Sequence, residues 1–183
     1  MRKLIAALNM TLDGFCDHTA GLPDAEIHQH YTELLAQGDM ILYGRTTYQL
    51  MEFWRTLLAN PSEEKSMNDV ARAIDKIEKR VFSRTMKTVD WASATLAQQD
   101  LHEEVLALKQ QPGRAIFVGS RSLIIQLLQL ELIDEFQLCL YPVVAGSGLP
   151  LFENLNDRMM FNLVNHKTFT GGALLLYYQP KNE

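Results

Sequence analysis

Cysteine is scarce in this chain. Cys16 and Cys139 are the only two among 183 residues, and they stand too far apart in sequence to read as a metal-ligand pair. Two thiols build no disulfide framework, so a reducing, cytoplasmic setting is expected, and no metal site. Basic charge is also in short supply: 17 Lys and Arg against 22 Asp and Glu leave a net charge of −5. That balance argues against a nucleic acid or an anionic membrane as partner, since either would be bound through a basic face. No apolar run approaches the ~20 residues that a bilayer-spanning helix needs. Met1 to Leu8 has the charge and the apolar run of a short leader, but Asn9 follows at once without a cleavage site, and the segment reads as a first strand. Repeats, low-complexity tracts and linkers are missing too, so residues 1–183 are expected to form one domain with a substantial core.

What is present is an alternation of short apolar strands with amphipathic helices. Lys3 to Asn9, Met40 to Tyr43, Arg80 to Phe82 and Ala115 to Val118 read as strands, the last apolar on both faces as in a buried parallel sheet. Between them lie helical patterns. Asp24 caps one that carries Ile27, Tyr31, Leu34 and Leu35 and is closed by Gly38. A second carries Leu50, Met51, Trp54, Leu57 and Leu58, and a third Met67, Val70, Ile74 and Ile77. Asp100 caps a fourth with Leu101, Val105 and Leu108, and a fifth carries Leu123, Ile124, Leu127 and Leu128. A strand over Phe136–Tyr141, ended by Pro142, and a hairpin of Phe161–Phe169 with Ala173–Tyr178 about Thr170-Gly171-Gly172 complete the chain. The expected fold is α/β: a mixed, mostly parallel sheet flanked by helices, with a C-terminal antiparallel hairpin.

Three of the strands end in a turn that mixes small residues with arginine: Gly44-Arg45-Thr46-Thr47, Ser83-Arg84-Thr85 and Gly119-Ser120-Arg121-Ser122. In a parallel sheet all three open at one edge, beyond the carboxyl ends of the strands, where α/β folds bind ligands. Backbone N–H groups at helix starts, hydroxyls and planar guanidinium forks suit phosphate. A dinucleotide with an extra ribose phosphate is the natural candidate. No G-x-G-x-x-G or Walker A sequence is present, so this is not a Rossmann fingerprint.

The chain resembles the RibD C-terminal-domain family of the dihydrofolate reductase-like superfamily. The matching motifs are Thr11-Leu12-Asp13-Gly14-Phe15, the run Asp39 to Tyr48, Val81-Phe82-Ser83-Arg84-Thr85, Val118-Gly119-Ser120, and the run from Leu132-Ile133-Asp134-Glu135 through Pro142-Val143-Val144 to Gly146-Ser147-Gly148-Leu149-Pro150-Leu151-Phe152. The resemblance implies NADPH as cofactor, a homodimer, and hydride transfer to a C=N or C=O group of a small substrate, pteridine- and pyrimidine-like rings among the candidates. It would place Arg45 and Thr46, after Gly44, at the adenosine-side phosphates, and Ser83 and Arg84 at the ribose 2′-phosphate. Gly119, Ser120, Arg121, Ser122 and Leu123 would hold the pyrophosphate, and Ala7 and Asp13-Gly14 would lie near the nicotinamide. Two departures bear on the substrate. Val118 stands where the riboflavin-pathway reductase has a substrate-binding glutamate, and Pro23-Asp24-Ala25 misplaces by one the carboxylate of a folate reductase.

For the chemistry, Asp13 is the candidate catalytic residue near the acceptor, weighed against an ordinary Asp-Gly turn. Asp24 and Glu26 are candidate proton donors, with helix capping as the simpler role for Asp24. His28 and His30 point to different sides of one helix, a poor metal pair, and read as a solvated face. Tyr48 and Trp54 are candidates for a pocket wall or for core. Gly146-Ser147-Gly148 lacks nucleophile-elbow spacing and reads as a flexible turn beside the cofactor or dimer edge. The alternative to an enzyme is a dimeric dinucleotide-binding or interaction protein without catalysis of its own.

Overall fold

The computed structural model describes residues 1–153, 155 and 157–181. Eight strands form one sheet: β1 (Leu4–Thr11), β2 (Gly38–Gly44), β3 (Glu78–Phe82), β4 (Ala94–Leu96), β5 (Ala115–Val118), β6 (Glu135–Tyr141), β7 (Phe161–Thr168) and β8 (Leu174–Pro180). Their order across the sheet is β4-β3-β2-β5-β1-β6-β8-β7. The six strands from β4 to β6 are parallel, and β8 and β7 join them by antiparallel pairing. The helices are α1 (Ala25–Ala36), α2 (Arg45–Ala59), α3 (Lys65–Lys76), α4 (Leu101–Gln110) and α5 (Arg121–Gln129).

The two-residue period of the strands decides which side chains meet which helices. Leu4 and Ala6 of β1, Met40 and Leu42 of β2, and Ile116 and Val118 of β5 pack with Val105, Leu108, Leu123, Ile124 and Leu127 of α4 and α5. On the other face, Ile5, Ile41, Tyr43 and Phe117 pack with Leu34, Tyr48, Val70 and Ile74 of α1, α2 and α3. A third cluster under α1 joins Ile27 to Cys139, Tyr141, Phe169, Ala173 and Leu175.

Three expectations need correction. Gly38 does not close α1: Gln37 is the C-cap, in right-handed helical conformation, and Gly38 opens β2. Glycine stands there because a Cβ would lie 2.3 Å from the Phe117 ring and 2.7 Å from the Ala115 carbonyl oxygen. His28 and His30 are buried, not solvated. His28 stands edge-on to Trp54 and 3.3 Å from Ser66 Oγ, whereas His30 packs between Tyr31 and Phe169; they do face different neighbours, and desolvation lowers the pKa of both. Of the apolar stripe assigned to α2, Met51 and Trp54 are half-buried against the core but Leu50 and Leu58 are exposed, and the helix's fully buried residue is Tyr48, outside the stripe. Tyr48 is core, donating to Asp90 Oδ1 (3.2 Å) and accepting from the Trp91 N–H (3.3 Å).

Candidate functional site at the carboxyl edge of the sheet

The carboxyl ends of β2, β3 and β5 put the three small-residue turns side by side. Ser120 and Gly44 make the closest tie: Ser120 Oγ, 1% exposed, accepts the Gly44 N–H at 2.9 Å. A Cβ on Gly44 would stand 3.4 Å from Ser122 Oγ and 3.9 Å from Ser120 Cβ, so the starts of α2 and α5 are packed against each other. From the first position of α2, Arg45 Nη1 donates to Thr85 Oγ1 at 3.2 Å, which links the third turn. Ser83 Oγ accepts the N–H groups of Thr85 (3.2 Å) and Met86 (3.0 Å) and fixes that turn's shape. Arg84, Arg45, Thr46 and Ser122 remain exposed along the rim. Gly119 lies over β1, where its Cβ would come within 3.4 Å of the Ala7 carbonyl oxygen.

The helix starts differ in a way that bears on anions. Asp24 and Asp100 cap α1 and α4, accepting from the N–H groups of Ile27 and Glu103. At α2 the N-cap is Gly44, which has no side chain, and at α5 it is Ser120, whose hydroxyl serves Gly44 instead. Neither of these helices has a side-chain cap, so the positive end of each faces the sheet edge, a ready anion site.

Two members of the predicted set have other employment. Leu123 is buried in the core and its N–H bonds Ser120 O at 3.0 Å, so it does not face the rim. The Arg121 guanidinium turns away to the 143–153 segment, bonding the Pro150 carbonyl and pairing with Glu153 at 2.5 Å. At that turn it is therefore backbone and hydroxyl groups, not the Arg121 fork, that face the edge.

Asp13 also serves the 143–153 segment. Its carboxylate accepts from Thr11 Oγ1 (2.6 Å), the Ala145 N–H (3.1 Å) and the Gly146 N–H (2.7 Å). Those bonds, that from Thr11 foremost, hold its pKa down to about 2. An acid so firmly ionised gives no proton near neutrality; it anchors one loop to another. Asp17, which the sequence reading passed over, does the same through the Leu149 N–H at 2.5 Å, and a Cβ on Gly148 would strike its carboxylate at 2.2 Å. The Gly146-Ser147-Gly148 turn is thus pinned by two aspartates, with Gly146 at φ +75. Asp24 caps α1 through the Ile27 N–H at 2.9 Å. Glu26 accepts from the N–H (2.7 Å) and hydroxyl of Thr170 in the hairpin, which lowers its pKa. Among the described residues no group of three or more His, Cys, Asp or Glu is arranged to hold a metal ion, and no helix is long and apolar enough to cross a membrane.

A mostly parallel sheet flanked by helices, with a terminal antiparallel hairpin, defines an α/β domain of the dihydrofolate reductase-like type. The RibD C-terminal domain model matches residues 2–175, and the chain belongs to that family. It is 34% identical over 181 residues to the uncharacterized protein YyaP of Bacillus subtilis (strain 168), covering 97% of this chain and 94% of YyaP. Among solved structures, a Shewanella sp. PV-4 protein named for riboflavin biosynthesis superposes with a TM-score of 0.73 at 19% identity, covering 98% of this chain and 99% of that one. A pyrimidine reductase-like protein from Corynebacterium diphtheriae does so with a TM-score of 0.67 at 13% identity, covering 100% of this chain and 93% of that one. At those identities the two structures speak for the fold.

Proposed function

We propose that this protein is an NADPH-dependent reductase that transfers a hydride to a C=N or C=O group of a small substrate. One observation carries the reading: two helix starts without side-chain caps, α2 and α5, are bonded to each other through Gly44 and Ser120 and open beside the Ser83-Arg84-Thr85 turn that Arg45 reaches. The pyrophosphate suits the helix starts, and a 2′-phosphate suits the exposed Arg45 and Arg84 beside the half-buried Ser83, because charge-assisted bonds to phosphate are the strong ones. When bound, NADPH supplies the hydride; the chain's part is to hold the dinucleotide and to orient the acceptor. Membership of a family named for a riboflavin enzyme, and a structural relative named as pyrimidine reductase-like, support a reductase role.

The substrate is proposed to differ from 5-amino-6-(5-phosphoribosylamino)uracil. Val118, at the position of that enzyme's glutamate, is fully buried in the core and offers no polar group. Monitoring NADPH oxidation against pterins, pyrimidines and small carbonyls tests the activity. Turnover of one class is expected; tight NADPH binding with no oxidation by any class would favour the second reading, a dinucleotide-binding protein without catalysis. The engagement of Asp13, Asp24 and Glu26 in structural bonds is what keeps that reading in view.

We further propose a cytoplasmic homodimer. Support for pairing comes from β7, an edge strand that leaves Leu163 and Val164 exposed beside Met160. An apolar pocket of about 320 Å³ nearby is lined by Leu128, Phe136, Phe152 and Phe161 among others. Edges of this kind pair or are covered.

A further inference from the structure

Two segments that follow β1 and β6 run side by side as one strap. The Leu12 N–H bonds Val143 O at 2.9 Å, the Cys16 N–H bonds Leu149 O at 2.8 Å, and the Leu151 N–H bonds Gly14 O at 2.9 Å. Phe15 and Pro150 add an antiparallel bridge. Asp13 and Asp17 fasten the first segment to the second through the N–H groups of Ala145, Gly146 and Leu149. Leu12, Val144 and Leu149 are exposed, whereas Leu151 is fully buried and the Phe152 ring stands edge-on to Phe136 at 6.2 Å.

Arg121 ties this strap to the sheet edge. Its backbone opens α5 directly after Ser120, so it belongs to a helix start without a side-chain cap. Its side chain leaves that edge, donates from Nε to the Pro150 carbonyl and pairs with Glu153. The two contacts differ in kind. Nε makes a hydrogen bond, whereas Nη2, sealed from water, stands 2.5 Å from Glu153 Oε1 without the alignment of one. A guanidinium arm held by charge alone is less firmly fixed than one in a fork-to-fork pair. One residue thus carries the start of α5 at one end and the strap at the other.

Resting on the cofactor reading above, we propose that Arg121 is a brace between the start of α5 and the strap, so that phosphate held at the helix start orders residues 11–17 and 143–153. Anion contacts to the free N–H groups of the first turn fix the Arg121 backbone. Once the backbone is fixed, the guanidinium gives up less freedom in holding Pro150 and Glu153. The coupling is reciprocal: an ordered strap strengthens anion binding by the same factor. Glu153 sets its strength, because its charge is what holds Nη2.

The probe is inorganic pyrophosphate, which offers the helix starts their phosphates without the rest of a dinucleotide. Hydrogen exchange is followed at the Cys16, Leu149 and Leu151 amides, with the Ile27 amide of α1 as control. Saturating pyrophosphate should slow the three strap amides about 5-fold in wild type, the low end of ordinary coupling between two sites, and leave Ile27 unchanged. Arg121→Gln should abolish the slowing, and Arg121→Lys, which keeps a charge for Glu153, should restore part of it. Glu153→Gln, outside the helix start, should still bind pyrophosphate and show reduced slowing. Direct contact between the anion and the strap would instead persist in all three variants. Pyrophosphate bound by wild type without slower strap exchange, or slowing of wild-type size in Arg121→Gln or Glu153→Gln, would overturn the proposal and leave the cofactor reading standing. Wild-type protein that binds NADPH but not pyrophosphate overturns it as well. Wild-type protein that binds neither removes the cofactor reading, and the brace with it.

Discussion

Ser120 is the residue on which the edge of the sheet depends. Its hydroxyl is the acceptor for the Gly44 N–H, and both groups are buried. Ser120→Ala would leave that N–H without a partner, a loss of about 1–3 kcal/mol. Urea unfolding should show a lower midpoint, and NADPH affinity should fall with it because the two helix starts lose their tie. Asp13 makes a second prediction at this scale. Its pKa is held near 2, below the ordinary 3.8, so its contribution to stability is present above pH ~4 and fades as pH falls toward 2. Asp13→Asn should flatten that part of the acid profile and speed hydrogen exchange at the Ala145 and Gly146 amides. Unchanged exchange would show that the carboxylate anchors nothing.

Among the elements, the corner of α3, β3 and β4 is held by a buried lysine. Lys79 Nζ donates to Ile77 O (2.8 Å), Asp75 O (3.3 Å) and Ser93 Oγ (2.7 Å) and sits 4.2 Å from the centre of the Trp91 ring. Burial pushes its pKa down to about 8 from 10.5. Between those values the unfolded chain keeps a proton that the folded chain has released, so this group makes stability rise with pH across the window. Lys79→Met should lack that rise when urea midpoints at pH 7.5 and 10 are compared with wild type. The elements also show what a sequence can and cannot display. The strands and helices flanking β5 were legible because hydrophobic period and Asp caps are local signals. β4 was not, since three residues carry no period, and the burial of His28 and His30 depends on Trp54, Ser66 and Phe169, which only the fold brings near. The meeting of the Gly44, Ser83 and Gly119 turns followed from parallel topology. The engagement of Arg121 by Pro150 and Glu153 did not, because a side chain's partner across 29 residues leaves no mark in the pattern.

At the scale of the whole molecule, the sheet has one edge at β4, a strand of three residues, and the other at β7, a strand of eight with apolar side chains outside. Short edges resist pairing and long apolar ones invite it. Sedimentation at micromolar concentration should report a dimer, and Leu163→Lys with Val164→Lys should shift it toward monomer; a monomeric wild type would contradict the proposed assembly. The carboxyl edge is proposed to bind NADPH and to read its 2′-phosphate. The most direct measurement is titration of wild type, Arg45→Ala and Arg84→Ala with NADPH and with NADH. Wild type should bind NADPH saturably and at least ~10-fold more tightly than NADH, the scale of one charge-assisted bond to phosphate, and each substitution should shrink that preference. No saturable NADPH binding, or equal affinity for the two nucleotides, would contradict the account.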